Sequence, residues 1–386
     1  MKLALLAGNR LSAWHMNVFA RLGPDFSVTA FRAESEIQRH FDARGAGTLP
    51  FPVEPIYFDT QRGPWPLRKA REMRERYAGR TPEVLPFHDR MEGFDHILSW
   101  ELFTGWTGEA LTAQQLYRKP LHLMVWDNIP FNHEDTAAKR AIKRRALREA
   151  TGFIVHTRRS REMLLLEGAT PERIHLIPPG VDLQAFAPGP REREGFGLDS
   201  DDFVLLFVGW LLPRKGIDFL LFALRRWLDE GGAGDRRVRL LIAGEGPGEE
   251  RVHALVERLQ LTEVCVWAGA RPYASMPALF RAADVFVLPS IAEPAWQEQF
   301  AMSLIEAMAC GVPALSTLSG AIPEIAGDAA LLVQPNDFKA LHDALERLAR
   351  DPDLRRELAA RGRERAGMHF SLDSYAAALR DYFLAQ

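Results

Sequence analysis

Two glutamates, Glu298 and Glu306, stand with seven residues between them in the segment PSIAEPAWQEQFAMSLIEAMACGVP, residues 289–313. Apolar residues at helical spacing begin between them, so a helix is expected to open near residues 300–303. The unsatisfied N–H groups and positive end of that helix would point back into the preceding loop. Such an end binds a diphosphate without needing a cationic side chain. Glu298 would lie at the mouth of the helix, and Glu306 inside it on a turn facing the same side. Carboxylates so placed accept hydrogen bonds from sugar and ribose hydroxyls respectively. By spacing alone, two glutamates around an amphipathic helix are more often solvated charge than chemistry.

Cations for an anionic leaving group are found in the turn Pro213-Arg214-Lys215-Gly216, straight after an apolar strand pattern. A departing pyrophosphate develops negative charge that fixed cations stabilise; the plainer alternative is a solvated turn. Gly244-Glu245-Gly246-Pro247-Gly248 has the look of a dinucleotide fingerprint, but its proline and the lack of a following GxxG make it a tight turn. Asp199-Ser200-Asp201 is a DxD, a pattern that holds divalent metals elsewhere. Here it precedes a strand in a segment where Asp and Ser favour turns and caps, so no metal site is expected. Cys265 and Cys310 sit in apolar runs far from any ligand spacing, as buried thiols of a reducing compartment do. His15, His122 and His156 receive no role.

Several elements must hold these residues in place. In the first half, strands are expected at 2–6, 26–31, 53–58, 96–99, 121–125, 153–156 and 174–177, with helices at 136–150 and 158–167. A Pro/Gly-rich stretch, PPGVDLQAFAPGPREREGFGLDSD, reads as a linker. A second series of strands follows at 204–208, 239–243, 264–267, 285–289, 314–316 and 331–333. Its helices are expected at 217–229, 248–259, 276–281, 303–309 and 339–349. This alternation implies two parallel α/β domains. Nucleotides bind at the carboxyl ends of such strands, so the expected site is the cleft between the domains. A length of 386 residues, 47% hydrophobic and 26% charged, suits two soluble domains. A net charge of -3 gives no overall field toward nucleic acid. No apolar run approaches the ~20 residues of a spanning helix, and the short N-terminal stretch lacks a signal-peptide core. The cytoplasm is the expected compartment.

The segment 289–313 resembles the EX7E motif of the retaining glycosyltransferases of family 4. The resemblance runs from residue 200 to 370 through FVGWLLPRKGIDFLLFAL, LLIAGEGPGEE, VCVWAGARPYASMPALFRAADVFVLPS and EAMACGVPALSTLSGAIPEIAGDAALLVQPND. It implies a GT-B fold, an α/β class with two Rossmann-like domains facing across a cleft. The domains would be 1–183 for the acceptor, 184–368 for the nucleotide sugar, and a C-terminal helix, 369–386, packing back on the first. It implies that Glu298 contacts the transferred hexose, that Glu306 holds the ribose, and that Arg214 and Lys215 clamp the diphosphate. The backbone of Phe300, Ala301, Met302 and Ser303 would meet the diphosphate, with Gly8 approaching it from the first domain. Gly244, Ala270 and Arg271 would line the nucleoside. The implied reaction retains anomeric configuration, needs no cofactor or metal, and takes a nucleotide-diphosphate sugar as donor.

Three positions depart from the family pattern. Ala301 replaces a usual glycine, crowding the loop. Trp210 follows Gly209 where an arginine is frequent. Trp126-Asp127-Asn128 stands where the family places a histidine, leaving Asp127 to take the acceptor's proton, to bind a sugar hydroxyl, or to cap the next helix. The acceptor itself is not identified. Two basic stretches, 65–80 and the cluster Lys139, Arg140, Lys143, Arg144, Arg145 and Arg148, raise a peripheral contact with an anionic inner-membrane surface. A solvated helix face is the alternative.

Overall fold

The structure is a computed structural model that describes residues 1–8, 13–34, 49–61, 64, 66–67, 69–70, 73 and 83–386. Asn9 and most of the basic stretch 65–80 lie outside the described residues. The chain divides into two compact units. One is Met1–His156 with Ser160–Ile177 and Ala376–Gln386; the other is Thr157–Arg159 with Pro178–Tyr375. The division thus falls at residue 178 rather than 184, and the piece returning to the first unit begins at 376 rather than 369.

The first unit is built on a wholly parallel sheet in the order β3-β2-β1-β4-β5-β6-β7. Its strands are β1 Lys2–Gly8, β2 Ser27–Ala33, β3 Val53–Ile56, β4 His96–Trp100, β5 Leu121–Val125, β6 Gly152–Val155 and β7 Ile174–Leu176. Every residue of β4, β5 and β6 is buried. Helices cover both faces of such a sheet, so its strands read as continuous apolar runs and not as alternating ones. The helix Gly105–Tyr117, which the sequence reading missed, starts where the Thr104 hydroxyl accepts the Thr107 N–H at 3.2 Å.

Residues from Ala376 join this unit through a buried polar chain. His96 Nδ1 lies 3.0 Å from His122 Nε2, and His122 Nδ1 lies 2.6 Å from the Tyr382 hydroxyl. Burial pushes His122 down to about 3, so it serves as a neutral hydrogen-bonding ring. His156 is likewise structural: its Nδ1 donates to the Ile177 carbonyl at 2.9 Å, and burial lowers it to about 4. Of the three unassigned histidines, His15 packs edge-on against Trp126, with centroids 5.8 Å apart.

The second unit has a parallel sheet in the order β10-β9-β8-β11-β12-β13. The strands are β8 Phe203–Val208, β9 Val238–Ala243, β10 Cys265–Gly269, β11 Val285–Leu288, β12 Ala314–Thr317 and β13 Ala330–Val333. Phe203, Leu205, Phe207, Leu220, Leu224, Trp227, Leu240 and Leu345 form its core. The stretch read as a linker is docked on this unit. Phe186 is buried against the Tyr273 and Phe280 rings. Buried Arg193 pairs with Asp284 at 2.7 Å, and Arg191 and Arg236 reach the same carboxylate. Those guanidiniums and the Val204 N–H hold Asp284 below the usual carboxylate range despite its burial. Cys265 and Cys310 are free, buried thiols pushed up to about 12. Among the described residues, no helix is long and apolar enough to cross a membrane.

Both sheets change direction of winding once, between β1 and β4 and between β8 and β11. Crevices at such switch points, outside the carboxyl ends of the strands, are where open α/β sheets bind ligands. In the second unit the loops after β8 and β11 carry Arg214, Lys215 and Glu298.

Candidate functional site

The two loops at the second switch point are locked together by backbone contacts. Pro213 opens a short 3-10 turn through Lys215, and Gly216 follows in the left-handed conformation at φ +70°. A Cβ at Gly216 would lie 1.9 Å from the Pro289 carbonyl oxygen, so only glycine fits. The Ile291 N–H donates to the Arg214 carbonyl at 2.9 Å. The turn after β8 that carries Arg214 and Lys215 is therefore held against the loop after β11 and is not a free solvated turn.

Glu298 is nearly buried. Its Oε2 accepts from Lys215 Nζ at 2.7 Å and from the buried Ser290 hydroxyl at 2.7 Å. Its backbone is gripped from the other side, where Ala321 N–H donates to the Glu298 carbonyl at 2.8 Å. A Cβ on Gly320 would approach that carbonyl oxygen to 2.1 Å. One cation, one hydroxyl and two fixed loops thus aim a single carboxylate.

The helix opening next to it is Met302–Ala309, with Ala301 at the cap and no side chain capping the end. Met302 and Ser303 in its first turn are half-buried, while the Phe300 ring is buried against Phe370 and leaves only its backbone to offer. Ala301 has φ 60° and ψ 56°. The pressure for glycine here is thus conformational, since a non-glycine in this region costs about 1–2 kcal/mol. Removing the nearly buried methyl forfeits about 0.8 kcal/mol. Ala301→Gly is therefore expected to leave stability unchanged or to raise it by up to about 1 kcal/mol. Ala307→Gly, inside the same helix, should instead cost more than about 1 kcal/mol. Thermal unfolding of the two variants side by side checks this; equal losses would contradict the left-handed backbone at Ala301.

Glu306 lies one helical step further in and is nearly buried. Burial raises its carboxyl to about 7, while a hydrogen bond from the Tyr273 hydroxyl pulls the other way. Tyr273 itself is pushed up by its own burial, then by the charge of Glu306. A carboxyl near neutrality here is poised to ionise when hydroxyl donors arrive.

Of the nucleoside candidates, Gly244 has φ 142° and would place a Cβ 1.9 Å from the Gly209 carbonyl oxygen. The glycine turn therefore packs on the loop that leads to Arg214. Ala270 and Arg271 are exposed after β10, with the Arg271 guanidinium 5.5 Å from the Phe196 ring. The DxD is engaged elsewhere: the Asp199 carboxylate pairs with Arg237, and its N–H donates to Asp202.

Gly8 and Asp127 belong to the first unit. Gly8 ends β1 at φ +57°, where a Cβ would meet the Trp106 indole at 2.3 Å, so a packing reason for glycine exists beside any ligand contact. Asp127 follows β5 and is nearly buried. Its Oδ1 accepts from Asn128 N–H at 2.9 Å, Ile129 N–H at 3.2 Å and Asn132 Nδ2 at 3.2 Å. Its Oδ2 lies 3.9 Å from Nε2 of His133, a ring stacked on Phe103 that burial keeps neutral. The basic cluster is largely neutralised. Lys143 is buried with Glu167 at 2.7 Å, Lys139 pairs with Asp135, and Arg145 and Arg148 lie on Glu149.

Sequence reasoning did not find Ser290, Trp296, Tyr273 or Gly320. Only Gly320 left a signal, as an isolated glycine in STLSGAIPE; the others are ordinary residues made relevant by loops meeting in space.

The glycosyl transferases group 1 model matches residues 190–365, and the glycosyltransferase family 4 model matches residues 16–185. A D-inositol 3-phosphate glycosyltransferase of Acidothermus cellulolyticus is 34% identical over 224 residues, 56% of this chain and 48% of the relative. The chain spans about half the length of the curated relatives it matches. HepE of Anabaena, solved in complex with UDP-glucose, superposes with a TM-score of 0.77 over 100% of both chains at 19% identity. Sucrose-phosphate synthase of Thermosynechococcus elongatus gives 0.74 over 100% of both chains at 20% identity. The fold is GT-B.

Proposed function

Because the chain belongs to the family 4 glycosyltransferases, we propose that it moves a hexose from a nucleoside-diphosphate sugar to an acceptor hydroxyl with retention of configuration. The observation that carries this reading is the Lys215–Glu298 pair beside an uncapped helix end. Cation and amides suit the diphosphate, and the carboxylate suits the hexose attached to it. Glu306, deeper in the same helix, suits the ribose.

In the proposed step the bond from the anomeric carbon to the phosphate oxygen breaks as the acceptor oxygen bonds to that carbon on the same face. The acceptor's proton passes to the departing phosphate oxygen, and Arg214 and Lys215 stabilise the charge on the diphosphate. Asp127 is assigned to the acceptor side. With Oδ1 engaged in its own loop, Oδ2 is the atom assigned to an acceptor hydroxyl. We place the protein in the cytoplasm, with a sugar, lipid-linked or small-molecule acceptor. Contact with anionic lipid is the weaker part of this reading, because Lys143 is buried and Lys139, Arg145 and Arg148 are paired with carboxylates.

The HepE complex makes UDP-glucose the first donor to try. Thermal shift against UDP, GDP and their glucose conjugates, with and without EDTA, tests the proposal. Ligand at 100 times its dissociation constant adds about 2.7 kcal/mol. One nucleotide series should stabilise the protein, and turnover should survive EDTA, because Asp199 is committed to Arg237. No shift with any nucleotide would remove the transferase reading, and activity restored only by Mg²⁺ or Mn²⁺ would remove its metal-independent form.

A further inference from the structure

Trp296 lies two positions before Glu298 and outside the glutamate spacing. Its indole nonetheless touches both cations. The Arg214 guanidinium carbon is 4.5 Å from the ring centroid and Lys215 Nζ is 5.1 Å from it. The ring is not placed by chance packing of a loose loop. Glu293 and Trp296 close a tight hairpin, with Glu293 N–H donating to the Trp296 carbonyl at 2.7 Å and the reciprocal bond at 3.1 Å. The hairpin hangs from Ile291, whose N–H holds the Arg214 carbonyl. Both ends of the cation–indole contact are thus fixed by backbone.

An aromatic face has a property that a carboxylate in its place would lack. Its quadrupole attracts a cation without cancelling the charge. The ring can therefore orient Arg214 and Lys215 side by side without itself cancelling their charge, although Glu298 shares Lys215 in the empty site. Arg214 is long and flexible, and ordering such a side chain on binding costs affinity. A ring that orders it beforehand removes that cost.

We propose that Trp296 is a positioning residue that holds Arg214 and Lys215 as a pair for the donor's diphosphate. This rests on the assignment of those two cations to the diphosphate, and the test separates the two claims. Calorimetry would compare wild type, Trp296→Ala, Trp296→Phe and the double variant Arg214→Ala/Lys215→Ala. The probes are the nucleoside diphosphate giving the larger thermal shift and the matching 5′-monophosphate. Trp296→Ala should weaken the diphosphate about 5-fold, the size of one partly desolvated cation–π contact. It should change the monophosphate by less than about 2-fold, and Trp296→Phe should restore most of the loss. In the double-cation background Trp296→Ala should have no further effect. Equal losses for both nucleotides would make Trp296 merely structural, and an unchanged diphosphate affinity would overturn the proposal alone. A double-cation variant that binds the diphosphate like wild type would overturn the cation assignment and, with it, the role of Trp296.

Discussion

Replacing Arg214 and Lys215 together with alanine is expected to reduce turnover on the order of 10³-fold or more, since each electrostatic contact to developing charge contributes about 10²–10³-fold. The two side chains sit on the turn after β8 at the switch point, on one indole face, and one of them pairs with Glu298. From sequence, such cations on a turn should face solvent, and their loss should barely touch stability. The structure revises that expectation. Lys215 is the cation beside a nearly buried carboxylate, and leaving such a charge without its partner is destabilising. Because Lys215 remains partly exposed, a loss of about 1–3 kcal/mol is expected, below the range for a fully buried pair. Turnover should therefore be measured well below the unfolding transition, with Arg214→Ala alone as a variant that leaves the Glu298 pair intact. Turnover within a few-fold of wild type in the folded double variant would sink the diphosphate assignment.

The fold was legible where buried strands leave continuous apolar runs. The expected Leu121–Val125 and Ile217–Asp229 match the observed elements end for end. Legibility failed where polar residues fill a helix held by its neighbours. Gly105–Tyr117 opens with two glycines among its first four residues, and Pro352–His369 is dominated by charge. The Pro/Gly segment after residue 178 looked like a free linker because the partners of Arg193 and Phe186, namely Asp284, Tyr273 and Phe280, are far away in sequence. At the site, one chain segment supplies Glu298, Ala301 and Glu306, so the motif could be read directly. Ser290, Trp296 and Tyr273 act through contacts between loops that no local spacing encodes. Ala301 shows the same limit in a different way. The substitution was visible, but its conformational cause was not.

The two glutamates differ in what they should do, and that difference is the core of the account. Glu306 is assigned to the ribose, which changes little between ground and transition states, so Glu306→Gln should raise KM more than it lowers kcat. Its carboxyl, raised to about 7 by burial, also sets a pH dependence. In the empty protein the protonated form is favoured, so its contribution to stability is complete below pH 4.5 and is lost as pH rises through about 7. Ribose hydroxyls donate to the ionised form, so nucleotide affinity should rise with pH through about 7, and Glu306→Gln should remove that rise. Glu298 is assigned to the hexose, where positive charge develops as the glycosidic bond breaks, and an interaction that strengthens in the transition state is felt in kcat. Glu298→Gln should cut kcat on the order of 10²-fold. Because Glu298 competes for Lys215 in the empty site, that variant should bind free nucleoside diphosphate at least as tightly as wild type.

The decisive measurement is therefore nucleoside-diphosphate affinity and kcat for Glu298→Gln and Glu306→Gln under one set of conditions. Lost turnover with retained or tighter nucleotide binding is expected for the first, and weakened binding with largely retained kcat for the second. The reverse pattern, nucleotide binding lost in Glu298→Gln and only kcat lost in Glu306→Gln, would contradict both assignments.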